Sequence, residues 1–144
     1  MRSASPIRSE RFEDDKGYAT LESDASGVVR FAAVGHYSLA LSIQASDAMT
    51  ELARLGLRFH VFSDFSKMAT YASASRSHAT AWCRENFRTI ESVHILTRPG
   101  LVAMGVATAA MTLSLIGLEM KAYTDPVLFQ EAFRRTKRDA SRSA

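Results

Sequence analysis

Several residue patterns that would quickly assign a protein to a functional class are missing from this sequence. Its 144 residues include one cysteine, Cys83, so no disulfide can form within the chain, and a reducing compartment is expected. The polar N-terminus has no apolar signal-peptide core, so we expect a cytoplasmic location. No Gly-rich phosphate loop is present, and His78 and Cys83, five residues apart, miss the spacing of a helical metal site. We therefore predict no metal and no cofactor.

Net positive charge is confined to one segment. The formal net charge is +3, but the residues from Arg134 onward carry +4, so the remainder of the chain sums to −1. The folded body therefore lacks the basic surface of a nucleic-acid-binding protein, and we expect no nucleic-acid partner. We predict a mobile polar arm over residues 1–16, one domain over residues 17–136 and a basic, solubilising tail over residues 137–144.

No charged residue occurs from Pro99 to Leu118, which is the length of a membrane span. Small and hydroxyl residues fill much of this stretch and strand-like runs flank it, so we predict a buried helix over residues 101–116 and no stable membrane insertion. The predicted helix is apolar nearly all round, and something must cover its second side. A second copy of the chain, an apolar ligand or other parts of the same chain could do so. The candidate contact residues are Val102, Gly105, Val106, Ala109 and Leu113.

Hydrophobic periodicity predicts an α/β protein with the element order ββαβαβαβα. A hairpin comes first, and every later strand is separated from the next by a helix, which implies parallel pairing. Ser38 and Gly56 are placed to begin and end the first helix, which carries Leu41, Ala45, Ala48, Met49, Leu52 and Leu55 on one face. Asp125-Pro126 is a strong start for the last helix, with Val127, Leu128, Ala132 and Phe133 inward.

The central stretch runs from Arg58 to Arg76. Its first half is typical of a buried strand ending at Asp64, and its second half is typical of a hydroxyl-rich loop leading into a helix. That second helix is expected to begin within residues 73–77 and to turn Ala74, His78, Ala81 and Trp82 to one side. Open α/β sheets place their binding surfaces at such junctions.

This element order, with Asp64-Phe65-Ser66 before a Ser-rich helix start, resembles the STAS fold of anti-sigma-factor antagonists. The closer likeness is to the bacterial SpoIIAA-like family, whose fold has also been compared with CRAL-TRIO lipid carriers. In STAS antagonists a serine after a second aspartate accepts a phosphate, and that position falls on Ser73. The neighbouring positions Ala72, Ala74 and Ser75 depart from the motif. Serine is also a good helix cap, so both interpretations of Ser73 stay open.

A second candidate group gathers at the predicted strand ends. His36, Asp64 and Arg98 would point to one rim, with Tyr71, Arg76 and His78 nearby, and such a trio could bind an anion or take part in catalysis. No spacing ties these residues together, and His60 and His94 within strands favour structural roles. Cys83 beside Trp82 could be a reactive thiol or a buried small hydrophobe.

The resemblance implies a non-enzymatic protein-binding module, used in bacterial signalling or partner switching, with an unidentified protein partner. Its binding residues would be Asp64, Tyr71, Ser75, Arg76, Thr80 and Arg84, with Ser73 as the phosphoacceptor. The alternative function is a carrier or sensor of a small apolar molecule such as a lipid. A homodimer would fit the apolar helix under either function.

Overall fold

The computed structural model describes residues 8–56, 58–100, 106–107 and 117–143. Six strands form one sheet in the order β1-β2-β3-β4-β5-β6: Arg8–Glu13, Gly17–Ser23, Val28–Tyr37, Phe59–Tyr71, Ile90–Leu96 and Met120–Tyr123. The helices are α1 (Leu39–Ala53), α2 (Ser73–Glu85) and α3 (Pro126–Ser143), and a short 3₁₀ turn covers Phe87–Thr89. The predicted α/β class is confirmed.

The sheet is antiparallel at one end and parallel at the other. Strands β1, β2 and β3 pair antiparallel, and β3 through β6 pair parallel. Each parallel pair neighbours the next in chain order, so right-handed crossovers return the chain repeatedly over the same face. Helices α1 and α2 therefore lie side by side on one face, which we call the α1/α2 face, while α3 covers the other, the α3 face.

The prediction that residues 1–16 form a mobile arm is wrong for residues 8–13, which are strand β1. This strand has few apolar side chains, which is why hydrophobic periodicity missed it. Phe12 packs on the core, and the Arg8 guanidinium donates hydrogen bonds to the carboxylates of Glu10 and of Glu51 in α1. Charged side chains thus fix β1 to both the sheet and a helix.

Helix α1 forms where the sequence predicted. The Ser38 hydroxyl accepts a hydrogen bond from the Leu41 amide, and Gly56 follows the last turn with a φ of 80°, which an L side chain rarely adopts. The predicted inner residues Leu41, Ala45, Ala48, Met49 and Leu52 are all buried. Leu55 is 61% exposed, because the helical spacing stops at Ala53.

Helix α3 starts as predicted but extends further. The Val127 amide donates to the Asp125 carboxylate at 2.9 Å, and the helix continues to Ser143, so the predicted tail is helical. Val127 and Leu128 are exposed rather than inward, and Phe129, 1% exposed, takes the buried position. Ala132 is buried and Phe133 is partly buried, as predicted.

The predicted helix over residues 101–116 lies largely outside the described residues. Val102, Gly105, Ala109 and Leu113 all fall there, so the predictions for them stay predictions. Val106 and Ala107 are helical, and Val106 is 7% exposed against the core of the α1/α2 face. Within the described ranges, no helix is long and apolar enough to cross a membrane.

Candidate functional site

Strand β4 reaches past the point where the sequence predicted a loop. It continues from Phe59 through Tyr71, so the prediction of a strand that ends at Asp64 is wrong. Its pairing with β3 shifts register twice, between Ala32 and Val34 and between Gly35 and His36. Each shift inserts one extra residue into β4, which is the signature of a β-bulge. A bulge interrupts the alternation of side chains between the two faces of a strand. The sequence of this part of β4 therefore looked typical of a loop.

The first bulge is held by Asp64. Its carboxylate accepts hydrogen bonds from the Ser66 amide at 2.9 Å and from the Ser66 hydroxyl at 2.6 Å. The two bulges bring Phe65, Met68 and Tyr71 to the same side of the sheet although they are three residues apart. The last residues of β4 therefore contribute three large side chains to the α1/α2 face.

Helix α2 packs over these side chains through a residue that the sequence analysis misplaced. Ser75 is fully buried, and its hydroxyl donates to the Tyr37 carbonyl at 3.1 Å and the Ala72 carbonyl at 2.6 Å. The Ser42 hydroxyl of α1 in turn donates to the Ser75 carbonyl at 3.2 Å. Ala74 is exposed, whereas the other three residues predicted on its side of α2, His78, Ala81 and Trp82, are half-buried. Serine hydroxyls thus pin the start of α2 to β3 and α1.

Between the sheet, α1 and α2 lies a cavity of about 150 Å³. Its wall is almost entirely apolar, and Arg76 is the one charged residue among the described residues that line it. Val106 and Met120 close part of it. The described lining residues are Phe31, Tyr37, Ala45, Ser46, Met49, Val61, Ser63, Phe65, Met68, Tyr71, Ser75, Arg76, Ala79, Thr80, Trp82, Cys83, Ile90, Val93, Ile95, Val106 and Met120.

Most polar groups of this wall are either uncharged at neutral pH or hydrogen-bonded within the protein. Burial raises the pKa of Tyr37 to about 12 and the pKa of the Cys83 thiol to about 12, so both stay protonated at neutral pH. Cys83, half-buried against the core, therefore packs as a small hydrophobe rather than acting as a reactive thiol. The Trp82 indole donates to the Thr50 hydroxyl at 2.8 Å, and the Thr80 hydroxyl donates to the Arg76 carbonyl at 2.9 Å. What remains facing the cavity is largely hydrocarbon and aromatic.

The fold carrying this cavity has a solved counterpart. The chain aligns with the crystal structure of an uncharacterized protein of the DUF3478 family, with a SpoIIAA-like fold, from Shewanella loihica PV-4. The alignment has a TM-score of 0.55 and covers 92% of this chain and 98% of that chain. This chain has a SpoIIAA-like fold. The predicted STAS or SpoIIAA-like architecture is thereby confirmed.

The SpoIIAA-like likeness stands at 14% sequence identity, which establishes the fold alone. No family model and no curated protein matches the sequence. Any activity of this SpoIIAA-like domain therefore has to be argued from its own residues.

The predicted rim of His36, Asp64 and Arg98 does not assemble. Because β4 continues beyond Asp64, this carboxylate lies along the strand and is bonded to Ser66 instead. His36 shares a hydrogen bond with Thr70 at 2.7 Å, and the Arg98 guanidinium donates to the Met68 carbonyl at 3.4 Å. In the part of the chain that the structure describes, no hydrogen bond or ion pair joins these three residues.

The predicted binding residues of α2, together with Tyr71 at the end of β4, lie either on the exposed surface or at the cavity wall. Ser73 and Arg84 are exposed, while Arg76, Thr80 and Tyr71 are half-buried and line the cavity. Ser75 is buried, so it cannot contact a protein partner. Arg76, Thr80 and Arg84 thus do not form the common exposed face that the sequence analysis expected.

Ser73 is the first residue of α2 and not its cap. Ala72 holds the capping position with an extended backbone, and it supplies no side-chain hydrogen bond to the helix. The interpretation of Ser73 as a helix cap is therefore wrong. Its exposed hydroxyl leaves the phosphoacceptor hypothesis open.

The sequence analysis missed an aromatic group on the α3 face, which we call the ring cluster: Phe62, His94, Tyr123, Phe129 and Phe133. Phe62 and His94 stack with centroids 4.2 Å apart, and Phe62 meets Phe129 edge-on at 5.7 Å. His94 shares hydrogen bonds with the Tyr123 hydroxyl at 2.8 Å and the Ser92 hydroxyl at 3.1 Å. Burial, followed by the charge of Lys121, lowers the pKa of His94 to about 4. The predicted structural role of His94 fits this geometry.

Proposed function

We propose that this SpoIIAA-like domain binds a small apolar molecule in the cavity between the sheet and α2, as a carrier or sensor. The observation that carries the proposal is the apolar wall around about 150 Å³ of space. Water is a poor occupant of a cavity with such a wall, because a buried water needs roughly 2–4 hydrogen-bond partners. Apolar cavities of roughly this volume stay dry and take up small aromatic molecules.

The architecture of the wall supports the same function. Phe65, Met68 and Tyr71 come from the bulged part of β4, and bulges are common where a strand re-aims side chains next to a site. Met68 and Met49 are flexible side chains that adapt to ligands of different shape. The site adjoins α2, a helix held by hydroxyl contacts rather than by a large apolar face of its own.

The protein carries its own reporter for this function. Trp82 is the single tryptophan of the chain and lies in the cavity wall, so its fluorescence reports on an occupant. Titration with toluene, a neutral aromatic molecule that matches a cavity of this volume, is expected to shift the Trp82 emission at submillimolar concentration. Native mass spectrometry of the freshly purified protein is expected to show mass that is lost on denaturation.

A matched pair of substitutions on α2 localises the binding. Ala79→Phe fills the cavity and is expected to weaken probe binding at least tenfold, whereas Ala74→Phe adds the same bulk to the exposed side and keeps the wild-type affinity. Circular dichroism verifies that both variants are folded. Equal affinity in the two variants, or a clean apo mass together with no probe binding, would refute the proposal.

Protein binding is the second candidate function, favoured by the exposed Ser73 at an uncapped helix start. Unpaired helical amides and the helix dipole would stabilise a phosphate there. Peptide mapping of protein isolated from its own cells is expected to find phosphate on Ser73, and a map in which Ser73 is always unmodified counts against the hypothesis. Subunit count comes from the same native spectrum, and a dimer would agree with the predicted self-association.

A further inference from the structure

The cavity wall contains one feature that an apolar ligand does not explain. Of the lysine and arginine residues that the structure describes, only Arg8 and Arg76 are half-buried, and the rest are exposed. Burying part of a guanidinium costs free energy unless an anion pairs with it. Arg8 meets this requirement with the carboxylates of Glu10 and Glu51.

Arg76 does not meet it from within the described residues. In the described ranges, no carboxylate lies within ion-pair distance of the Arg76 guanidinium, and no aromatic ring lies beneath it. Its side chain lines the cavity, where it is the only described charge. A half-buried cation without a counterion at the edge of an apolar cavity is complementary to a ligand that brings the anion itself.

The surroundings of Arg76 add to the positive potential. Arg76 lies in the first turn of α2, where the helix dipole places partial positive charge, and the capping residue Ala72 supplies no side-chain acceptor to offset it. Tyr71 and Ser63 also line the cavity, and the hydroxyl of neither has a hydrogen-bond partner among the described residues. Both can donate to a carboxylate oxygen.

We propose that the ligand is an amphipathic carboxylate, a single apolar chain whose tail fills the cavity and whose carboxylate pairs with Arg76. This inference rests on the proposed function, because the cavity must first accept an apolar tail. Arginine suits the role because its planar fork can donate two parallel hydrogen bonds to a carboxylate. The expected ligand thus has an anionic head group as well as an apolar tail.

The test compares two ligands that differ only in their head group. Trp82 fluorescence is titrated with hexanoate and with hexan-1-ol at pH 7.5, two compounds whose short chains match a cavity of this volume. The wild-type protein is expected to bind hexanoate about tenfold more tightly than the alcohol, the effect of one partly exposed charge-assisted contact. Arg76→Gln is expected to bring the two affinities together by weakening hexanoate alone.

Arg84→Gln is the matched control, because Arg84 lies on the same helix but is exposed and outside the cavity wall. It is expected to keep the tenfold preference, and unchanged hexanol binding by Arg76→Gln shows that this variant is folded. Equal wild-type affinities, or a preference that survives Arg76→Gln, would overturn the head-group inference while hexanol binding leaves the apolar site standing. Binding of neither compound would overturn both proposals.

Discussion

On the α3 face of the sheet, rings and hydrogen bonds fill the space between strands and helix, whereas the α1/α2 face encloses a cavity of about 150 Å³. Both faces use the same strands, so the difference comes from side-chain chemistry. The ring cluster combines stacking with a chain of hydrogen bonds from His60 through Ser92 and His94 to Tyr123. The cavity face combines aliphatic and methionine side chains with the rings of Phe31, Tyr37 and Phe65, which meet without stacking at centroid distances of 6.0 to 6.1 Å. One face is built to hold a fixed arrangement, and the other leaves room for an occupant.

The difference in packing between the two faces is tested most directly by removing one phenylalanine from each face. Phe62 is fully buried in the ring cluster, so Phe62→Ala is expected to lower the free energy of unfolding by about 3–5 kcal/mol. Phe65 already borders the cavity and is only half-buried, so Phe65→Ala is expected to cost about 1–2 kcal/mol. Urea denaturation monitored by circular dichroism measures both. Equal losses would show that the two faces are packed to the same degree.

The sequence was a good guide wherever one periodicity ran without interruption. The cap at Ser38, the apolar spacing of α1 and the start of α3 at Asp125 each follow from local chemistry, and the structure has all three. The order of strands and helices also led to the correct fold. These features depend on residues within a turn or two of each other.

The cavity could not be found in the same way, because its wall is assembled from distant elements. Two bulges in β4 align Phe65, Met68 and Tyr71 at a spacing that belongs to neither a plain strand nor a helix. Ser75 was read as part of a hydroxyl-rich loop although tertiary contacts bury it completely. The pairing of Ser92, His94 and Tyr123 likewise depends on strand register, which a single sequence does not reveal.

The two faces are also expected to differ in their response to acid. The pKa of His94 is about 4 in the folded protein, against 6.5 in the unfolded chain, so the unfolded chain binds the proton first. Stability should therefore fall as the pH drops from about 6.5 to about 4. Because His94 is only partly buried, we expect a loss of about 1–2 kcal/mol over this range. The described cavity wall contains no histidine or carboxylate and contributes no slope there.

Urea denaturation at a series of pH values measures this loss. Replacing the imidazole in His94→Gln should reduce the slope between pH 6.5 and pH 4, because no proton is then taken up at this position. A smaller slope remains from His60, whose pKa burial also lowers. The control His36→Gln alters a histidine outside the ring cluster, bonded to Thr70, and is expected to keep the slope. A slope that is the same in His94→Gln and the wild type would assign the acid sensitivity elsewhere.

The smallest difference concerns how α2 and α3 begin. Asp125 caps α3 through the Val127 amide, so Asp125→Ala is expected to cost about 1 kcal/mol. Ala72 occupies the equivalent position of α2 with an extended backbone and no side-chain bond, so Ala72→Asp should add a cap and gain about 0.5–1 kcal/mol. Thermal unfolding followed by circular dichroism resolves both changes. A loss of stability in Ala72→Asp would mean that the half-buried surroundings of this position outweigh the cap, and that the start of α2 is fixed by its serine contacts alone.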